Sequence, residues 1–452
     1  MMCMKCLLYN TLFLIPVSPI LCSVPASVEF FTPRGVVPVP VTQVCYATEY
    51  GARHGARVDS SHSIQAAIDH CSHHKCEPGE CVGVAVLSGE EQWGESVRYR
   101  SGPLYLHSNV VLVLLDGVIL EAWGVEEFAW PSLYRRVEGV MTMGTASLIN
   151  AGICQDVEYT PGVVGDQCRE WCQVEYVGVV GSPGAVIDGA GDSGWWEVDK
   201  PARPTLINLG HASKAVLANI TLVNSPFWTV HVPFSQYVDI HHINISSFGP
   251  NNDGIDPDSS NNIVIRDSII DTGDDCIAVK SGKDEDGLMV NVPSYNVDVY
   301  NMTFLRGRGV AIGSETSGGV YNINFRNYSC VGTKRCVRIK SRKDRGSFVE
   351  NIVYENAVME DVETAISIDM FYGNDETATG PSPHFSNFRL ENISGLAGSA
   401  GDVLCLPDQP CTQLQLANIS IFASQGFHCS NAYGNVDNVF PEICITEEDM
   451  NL

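Results

Sequence analysis

The chain has 452 residues, 44% of them hydrophobic, and a formal net charge of −26. This length and apolar content can build one large domain or two ordinary ones. The acidic balance argues against nucleic acids and anionic membranes as partners, because binding to either needs a basic face.

The N-terminus has the pattern of a cleaved secretory signal. Lys5 precedes an apolar stretch that runs from Leu7 to about Cys22, and small residues follow at Ser23 and Ala26. The stretch is short and contains prolines, which favours a signal peptide over a membrane anchor. We predict that residues 1–26 are removed and that residues 27–452 form one secreted, monomeric domain, since no linker divides them.

Two segments in the N-terminal part differ from the remainder. Residues 60–71 carry apolar residues on one helical face and predict a short amphipathic helix that caps the open end of a solenoid; these are Ile64, Ala67, Ile68 and Cys71. Residues 122–176 are predicted to be a long insertion, because tryptophan, cysteine and acidic residues interrupt the strand pattern there.

From about residue 214 onward one phrase recurs, a polar residue followed by apolar–x–apolar. Its spacing of roughly 22 to 36 residues suits one coil of a solenoid. Each coil also holds a second short strand with alternating apolar residues, at 229–232, 276–279, 310–312, 337–339 and 365–368. We therefore predict an all-β chain folded as a right-handed parallel β-helix. A barrel or a sandwich would need hairpin turns, whose signals are scarce.

Asparagines open many of these phrases and predict a stacked turn. Asn tolerates left-handed backbone angles, and stacked amides can hydrogen-bond to one another along a solenoid. The asparagines expected at equivalent turns are Asn262, Asn296, Asn322, Asn351 and Asn387.

The cysteine pattern predicts disulfide bonds. Three of the 17 cysteines lie in the predicted signal, and several others are closely spaced without histidine partners, which favours small disulfide loops over zinc. The close groups are Cys71, Cys76 and Cys81; Cys168 and Cys172; Cys330 and Cys336; and Cys405 and Cys411. Cys276 lies inside an apolar strand, so we expect a free core thiol there. Six sequons predict glycosylation, at Asn219, Asn244, Asn301, Asn327, Asn392 and Asn418.

Four polar motifs between residues 251 and 340 carry the predicted chemistry. They read NNDGID (251–256), GDDCIAVK (273–280), GRGVAIG (307–313) and RIK (338–340). Neighbouring coils of a parallel sheet lie about 4.8 Å apart, and each motif occupies the same place relative to the second strand of its coil. Asp253, Asp274 and Asp275 are therefore expected to lie within a few ångströms of one another, with cations one or two coils away.

Carboxylates this close cannot all ionise freely, so the pKa of one of them should be raised. A carboxylic acid that keeps its proton beside one that does not is what cleavage of a glycosidic bond requires. Asp256 and Asp258 are instead predicted to cap turns by accepting backbone N–H bonds.

The basic run between residues 334 and 345 predicts an anion site, because it holds seven of the 27 cations. Arg338 and Lys340 alternate with Ile339 and so project together towards the acidic coils, where an arginine fork matches a carboxylate. The last three cations of the run are expected to be solvated surface residues: Arg342, Lys343 and Arg345.

Together the motifs resemble those of the polygalacturonases, glycoside hydrolase family 28, whose patterns NxDGxD, GDDCIA and RIK appear here in the same order and spacing. The resemblance extends through SGPLYL (101–106) and VIDG (186–189) to the C-terminal coils. It implies a parallel β-helix that hydrolyses pectic polysaccharide, an acidic galacturonan, with inversion at the anomeric carbon. It also implies that no metal or other cofactor takes part.

Carried over to this sequence, the resemblance implies that Asp274 is the general acid. Asp253 and Asp275 would orient and deprotonate the attacking water. Arg338 and Lys340 would hold a galacturonate carboxylate.

The remaining substrate contacts expected from the motifs are Asn251, Lys280 and Arg308, and Tyr372 lies where the family places an aromatic residue against the sugar. The third motif differs from the family pattern at one residue. The family usually has GHG there, and in this sequence Arg308 replaces the histidine. An arginine there could add another carboxylate contact, and the change leaves the rate and the substrate preference open.

Several alternatives remain at this point. A rhamnogalacturonan or xylogalacturonan hydrolase would vary the groups around the same aspartates. A pectate lyase shares the β-helix but needs calcium-binding carboxylates and an arginine base, and the ordered motifs argue against it. An inactive carbohydrate-binding relative is supported only by Arg308. Cleavage within the chain or from its end is also left open, because it depends on loops that close the groove.

Overall fold

We describe a computed structural model of the protein, which covers residues 24–72, 77–89, 97–153, 173–373 and 380–447. Nearly all of the predicted signal peptide lies outside these residues, and so do Cys76, Cys168 and Cys172. The disulfide bonds expected of those three cysteines stay predictions.

Nearly all of the regular secondary structure in the described residues consists of β-strands. In chain order these are β1 (Ser27–Thr32), β2 (Gly35–Tyr46), β3 (Val82–Leu87), β4 (Val97–Ser101), β5 (Leu104–Leu106), β6 (Val110–Leu114), β7 (Val118–Ala122), β8 (Ser132–Val137), β9 (Val140–Thr145), β10 (Ile149–Ala151), β11 (Val174–Gly181), β12 (Val186–Asp188), β13 (Ile207–Leu209), β14 (Ala212–Ala218), β15 (Thr221–Val223), β16 (Val230–Pro233), β17 (Gln236–His241), β18 (Asn244–Ser247), β19 (Ile255–Asp258), β20 (Asn261–Thr272), β21 (Ile277–Val279), β22 (Ser294–Arg306), β23 (Val310–Ile312), β24 (Val320–Val331), β25 (Arg335–Lys340), β26 (Phe348–Asp369), β27 (His384–Leu404), β28 (Cys411–Ser430) and β29 (Ala432–Phe440).

Helices are few within the described part of the chain. They are α1 (Ser61–Ser72) and α2 (Asp284–Val290), with 3-10 turns at Ala47–Tyr50, Trp195–Glu197 and Lys200–Ala202. Neither α1 nor α2 is long and apolar enough to cross a membrane.

The strands stack into three parallel sheets, one coil upon the next. The first sheet follows the order β2, β3, β6, β11, β14, β17, β20, β22, β24, β26, β27, β28 and β29. The second follows β4, β7, β12, β15, β18 and the C-terminal part of β20. The third follows β5, β10, β13, β16, β19, β21, β23, β25 and the end of β26. The predicted all-β, right-handed parallel β-helix is therefore confirmed.

The inward-facing residues of the third sheet form a continuous apolar row. In register and fully buried, they are Ile207, Val230, Ile255, Ile277, Val310 and Val337. Burial of each such side chain stabilises the fold by about 1.5–3 kcal/mol. The second strand predicted for each coil is confirmed, because β16, β21, β23, β25 and the end of β26 lie at those places.

The predicted asparagine ladder is confirmed as well. The five asparagines have φ angles between 54° and 56°, in the left-handed region. Each side-chain amide donates to the oxygen of the preceding member at 2.6–3.3 Å; the pairs are Asn296 to Asn262, Asn322 to Asn296, Asn351 to Asn322 and Asn387 to Asn351. These bonds hold the turns of successive coils in one line, which keeps the third-sheet strands in register beside them.

The predicted capping helix is α1, and the four residues expected on its apolar face are all buried. Gln65 pairs with the free edge of β5: its side-chain amide donates to the Tyr105 carbonyl at 2.9 Å, and its oxygen accepts from the Tyr105 N–H at 2.8 Å. The helix therefore satisfies backbone groups that the end of a solenoid would leave unpaired.

The disulfide bonds agree with the expected pattern at the C-terminal end. Cys330–Cys336 and Cys405–Cys411 form as predicted, and Cys429–Cys444 is a further bond that close spacing did not single out. Cys71 pairs with Cys45, 26 residues away, rather than inside its own close group. Cys276 is a free, buried thiol, as expected.

The segment predicted as an insertion, residues 122–176, contains an antiparallel hairpin formed by β8 and β9, and also β10 of the third sheet. The hairpin turns at Glu138 and Gly139, whose φ angles of 46° and 81° suit the two-residue turn that matches the twist of paired strands.

Candidate active site

The four motifs meet on the outer surface of the third sheet. The register of Val230, Ile255, Ile277 and Val310 aligns the residues two positions earlier, which are Trp228, Asp253, Asp275 and Arg308. Parallel stacking thus places side chains that are 22 to 33 residues apart in the sequence on adjacent coils.

Three carboxylates form the centre of this surface. One oxygen each of Asp253, Asp274 and Asp275 lies within 4.8 Å of the others, and all three side chains are buried. The sequence prediction that they lie within a few ångströms is confirmed.

Asp275 is held by two cations from β25. Arg338 Nη1 donates to its Oδ1 and Lys340 Nζ donates to its Oδ2, both at 2.5 Å. Burial alone would raise the pKa of Asp275, but the charges of Lys340, Arg338 and Lys280 outweigh it and lower this pKa to about 2. Asp275 is therefore ionised throughout the ordinary pH range.

Asp253 has the opposite character. Burial raises its pKa well above the usual value; the neighbouring Lys280 opposes this shift, and the charges of Asp274 and Asp275 add to it. Lys280 Nζ lies 3.4 Å from Asp253 Oδ2. The expectation that one carboxyl of the cluster has a raised pKa agrees with this carboxyl.

Asp274 lies nearest to solvent among the three, with 9% of its side chain exposed. Its Oδ1 accepts the backbone N–H of Asp275 at 2.9 Å, and Arg308 Nη1 lies 3.3 Å from its Oδ2. Arg308 is 35% exposed and is thus the one cation of the motifs that reaches both a carboxylate of the cluster and solvent.

A cavity of about 240 Å³ opens over the carboxylates. Of the predicted site residues, its lining includes Asn251, Asp253, Asp274, Asp275, Lys280, Arg308, Lys340 and Tyr372. Arg338 lies beside the cavity, where it contacts Asp275. The Tyr372 ring centroid is 5.0 Å from Lys340 Nζ and 5.7 Å from Arg338 Cζ, a spacing at which an aromatic face attracts cations.

Lys280 is almost fully buried and faces carboxylates on several sides. Its Nζ lies 4.0 Å from Asp256 and 3.6 Å from Glu315, in addition to its contact with Asp253, and 4.2 Å from the Trp228 ring centroid. A lysine in this position influences the charge of the acid cluster more than it contacts a ligand.

The prediction that Asp256 and Asp258 cap turns is wrong for Asp256, which has no hydrogen-bond partner on either oxygen. Burial raises its pKa well above the usual value. Asp258 accepts one backbone N–H, from Gly282 at 3.2 Å, but its main partners are Arg136 at 2.8 Å and His231 at 3.2 Å. Both aspartate side chains are fully buried, and the cations Lys280 and Arg136 lie beside them.

The basic run also differs from its prediction at two residues. Arg345 is buried and donates to the Ser314 carbonyl at 2.8 Å, and Arg342 lines the cavity with it. Both lie near Asp284 at the start of α2, which draws them inward. Lys343 is exposed, as expected.

Several residues that line the cavity were not predicted from the sequence. Glu138 and Lys200 come from loops far from the motifs, and Lys283 and Glu315 follow the strands rather than precede them. Trp228 was detectable, because it lies two residues before β16, just as Asp253 lies two residues before β19.

Asp253, Asp274 and Asp275 are also the group, within the described residues, whose ligand atoms could surround a metal ion. Ammonium or guanidinium groups already contact each of these carboxylates, so the chain itself supplies positive charge at this place.

Comparisons with known proteins agree with the fold and with this surface. The family described as "Glycosyl hydrolases family 28" matches residues 154–439. A probable polygalacturonase of Vitis vinifera is 30% identical over 384 residues, which cover 80% of this chain and 74% of that protein. An endo-polygalacturonase of Pectobacterium carotovorum subsp. carotovorum is 31% identical over 351 residues, with coverages of 74% and 76%.

Solved structures show the same architecture. A polygalacturonase from Erwinia carotovora ssp. carotovora gives a TM-score of 0.67 at 25% identity, with 88% of this chain and 98% of that chain covered. An exopolygalacturonase from Thermotoga maritima gives a TM-score of 0.70 at 24% identity, with coverages of 88% and 92%. The chain therefore belongs to the glycosyl hydrolases family 28. Within that class it is a polygalacturonase-type enzyme that hydrolyses glycosidic bonds.

Proposed function

We propose that this protein is a secreted polygalacturonase that cleaves α-1,4-galacturonosyl linkages of pectin with inversion at the anomeric carbon. One observation carries the proposal: three carboxylates have oxygens within 4.8 Å of one another in a cavity that is also lined by lysines and arginines. Acid–base cleavage needs the carboxylates, and an acidic sugar chain complements the cations.

The proposed reaction begins with Asp274, which protonates the glycosidic oxygen as the bond to the anomeric carbon breaks. Its exposure towards the cavity supports this role. A water molecule held by Asp253 and Asp275 attacks the anomeric carbon, and its proton returns to the carboxylate cluster. Asp275 is ionised because its pKa is about 2, so its carboxylate can accept a hydrogen bond that orients the attacking water.

The raised pKa of Asp253 means that a proton is held in the cluster near this group before substrate binds. Carboxyls this close titrate as a unit, so the proton belongs to the cluster rather than to one residue. Delivery through Asp274 then requires only a short transfer between neighbouring oxygens.

Substrate carboxylates would be bound by the cationic wall. Lys340 and Arg338 each keep N–H donors beyond the bond to Asp275, since an ammonium has three and a guanidinium five. Arg308 adds a partly exposed guanidinium in the place where the family usually has histidine. Asn251 and Tyr372 line the same cavity and would contact the sugar ring. Lys280, by contrast, would act through Asp253, because almost none of it is exposed.

Inversion is supported by the pairing of the carboxylates and not by their spacing. Inverting glycosidases usually separate their two carboxyl groups by about 6.5–9.5 Å, and retaining ones by about 5–5.5 Å. Here both oxygens of Asp275 are engaged, by Arg338 and Lys340, and Oδ2 of Asp253 is engaged by Lys280. Such pairing disfavours direct attack of a carboxylate on the anomeric carbon and favours attack by an activated water. This agrees with the inversion implied by the resemblance to the polygalacturonases.

Secretion is supported by the predicted signal and by the disulfide bonds, which form and persist in oxidising compartments. The pectic substrate is supported by membership of the family.

The test is incubation of the purified protein with polygalacturonate over a range of pH values, with reducing ends and ultraviolet absorbance followed together. The proposal expects new reducing ends without an unsaturated product. A rise in ultraviolet absorbance would indicate a lyase. Binding without cleavage would indicate an inactive carbohydrate-binding relative, and preference for rhamnogalacturonan or xylogalacturonan would identify the related hydrolases.

A further inference from the structure

The groove over the third sheet has two side walls. One wall consists of the loops that precede its strands, such as the loop with Pro250 before β19. The other consists of the loops that follow its strands, such as those with Lys283 after β21 and Glu315 after β23. A polysaccharide lying along this sheet would run between the walls, across successive coils.

The hairpin of β8 and β9, together with the turn Lys200–Ala202, lies across this groove; we call these two elements the bar. At one wall, the Lys283 N–H donates to the Gly139 carbonyl at 3.1 Å. A Cβ added to Gly139 would lie 2.6 Å from Lys283 Cβ and 3.0 Å from Glu315 Cγ, so the tip of the hairpin is packed directly onto both loops.

The bar also reaches the opposite wall. Thr145 at the end of the hairpin donates its hydroxyl to the Ala202 carbonyl at 2.6 Å. The next residue, Arg203, donates to the Pro250 carbonyl at 2.6 Å. Between the two elements of the bar, Lys200 Nζ lies 3.2 Å from Glu138 Oε1. The groove is thus spanned from wall to wall.

A buried ion pair fixes the bar to the solenoid. Arg136 donates to Asp258 at the end of β19 at 2.8 Å, and both side chains are fully buried. The Arg136 guanidinium also lies 4.4 Å from the Phe234 ring centroid. Separating such a pair would leave a charge in the interior, so the bar is a fixed part of the fold rather than a loosely attached loop.

The groove floor is buried on the coils near the bar and open to solvent at the C-terminal end. One register row faces outward: Asn208, His231 and Asp256 on the N-terminal coils, and Arg338, Ser367, Asp402 and His428 on the C-terminal coils. Outward residues on a solenoid normally meet solvent, yet the first five of these residues are buried. Only the last two are open, with side-chain exposures of 40% for Asp402 and 69% for His428.

Resting on the proposed function, we propose that the enzyme acts only on chain ends: one terminus of the galacturonan abuts the bar, and each cleavage releases a short product of fixed length. The cavity over the carboxylates, about 240 Å³, is smaller than the roughly 300–1,000 Å³ of pockets for drug-sized ligands. The enclosed part of the groove therefore accepts a short terminal piece of the chain, while the remainder leaves along the open C-terminal coils.

Glu138 supplies the recognition of the terminus. It lines the same cavity as Asp253 and Asp274, and its carboxylate can accept a hydrogen bond from the hydroxyl that only a terminal sugar carries free. An internal sugar has that oxygen engaged in the next linkage, and the continuing chain would collide with the bar.

The experiment follows products from polygalacturonate by chromatography from the earliest time points, together with viscosity per reducing end formed. One product length from the start, with a slow loss of viscosity, is expected. A spread of oligomers with a rapid loss of viscosity would overturn this inference while leaving the proposed hydrolysis intact. Absence of new reducing ends would instead refute the proposed function, and the inference with it.

Two variants test the bar itself. In the first, the four residues 137–140 are replaced by Asn-Gly, a two-residue turn that can join the paired Arg136 and Met141 and keeps the buried anchor. This variant should produce a spread of oligomers and a severalfold faster loss of viscosity per bond. Unchanged single-length products from the folded variant would show that the hairpin does not set the mode of action.

The second variant, Glu138→Gln, keeps the shape of the side chain and needs no change of the backbone. It should lower kcat/KM on short oligogalacturonates roughly 10- to 100-fold, the range for a hydrogen bond to a charged group. Glu175→Gln is the matched control, because Glu175 pairs with Lys214 at 3.0 Å away from the groove. Equal kcat/KM values for the two variants would refute the role of Glu138.

Discussion

Lys340→Met removes the ammonium group that donates to Asp275 at 2.5 Å, while an unbranched side chain of similar length remains. Both groups are almost fully buried, so Asp275 would keep its charge in the interior with Arg338 as its remaining hydrogen-bonded cation. Loss of one partner of a buried ion pair destabilises a protein by about 3–5 kcal/mol. Because Arg338 remains, we expect a loss at the lower end of this range, so that the free energy of unfolding at pH 7 falls by about 3 kcal/mol.

The loss should depend on pH, and its sign follows from the pKa of Asp275. This pKa is about 2 against an ordinary 3.8, and each pKa unit corresponds to about 1.4 kcal/mol. A lowered carboxyl pKa stabilises the folded state fully above the unfolded-state value, and the contribution is lost as the pH falls towards 2. Without Lys340 the pKa of Asp275 rises, so the variant loses this stabilisation at a higher pH than the wild type does. The difference in free energy of unfolding between the wild type and the variant should therefore shrink between pH 4 and pH 2.

Urea unfolding followed by tryptophan fluorescence at pH 7, 5 and 3 measures both effects. Lys343→Met is the matched control, since Lys343 is an exposed lysine of the same basic run. The reasoning is refuted if the two variants unfold at the same urea concentration, or if the deficit of Lys340→Met stays constant from pH 7 to pH 3.

Three further outcomes are expected. Arg308→Ala should raise the Kd for polygalacturonate about 10- to 100-fold and that for a fully methyl-esterified pectin much less, as measured by calorimetry; equal changes would exclude carboxylate recognition by Arg308. Proton NMR of the first products should show the β-anomer, whereas an α-anomer would mean retention, as the close carboxylate spacing alone suggests. Asp253→Asn should unfold at a higher urea concentration than the wild type at pH 7, because a raised carboxyl pKa in the folded state makes stability fall as the pH rises. This gain in stability should shrink as the pH falls towards 4. A gain that stays constant with pH would contradict the raised pKa of Asp253.

The repeat made the solenoid and the core of the site predictable. The spacing of short β-branched strands fixed which residues share a face, and the asparagine turns set the register. Asp253, Asp275 and Arg308 could therefore be placed on adjacent coils from the sequence alone. Trp228 follows from the same register and could have been added.

Contacts between distant loops were not predictable in this way. Glu138 and Gly139 form a hairpin turn without the usual Asn-Gly signal, and nothing in the repeat places that hairpin over β19. Arginine is usually a surface residue, but Arg345 is buried because it contacts Asp284 and the Ser314 carbonyl. Asp256 resembles a turn cap in sequence and is instead buried without a hydrogen bond, with Lys280 Nζ 4.0 Å from its Oδ1.

The central claim is that Asp274 delivers the proton that breaks the glycosidic bond, and Asp274→Asn tests it most directly. Reducing-end release from polygalacturonate should fall about 10²- to 10⁴-fold, while the Kd for the polymer changes only a fewfold. Asp271→Asn serves as the control, because Asp271 lies three residues earlier and pairs with the exposed Arg306 outside the cavity. Turnover by Asp274→Asn close to that of Asp271→Asn would contradict the account.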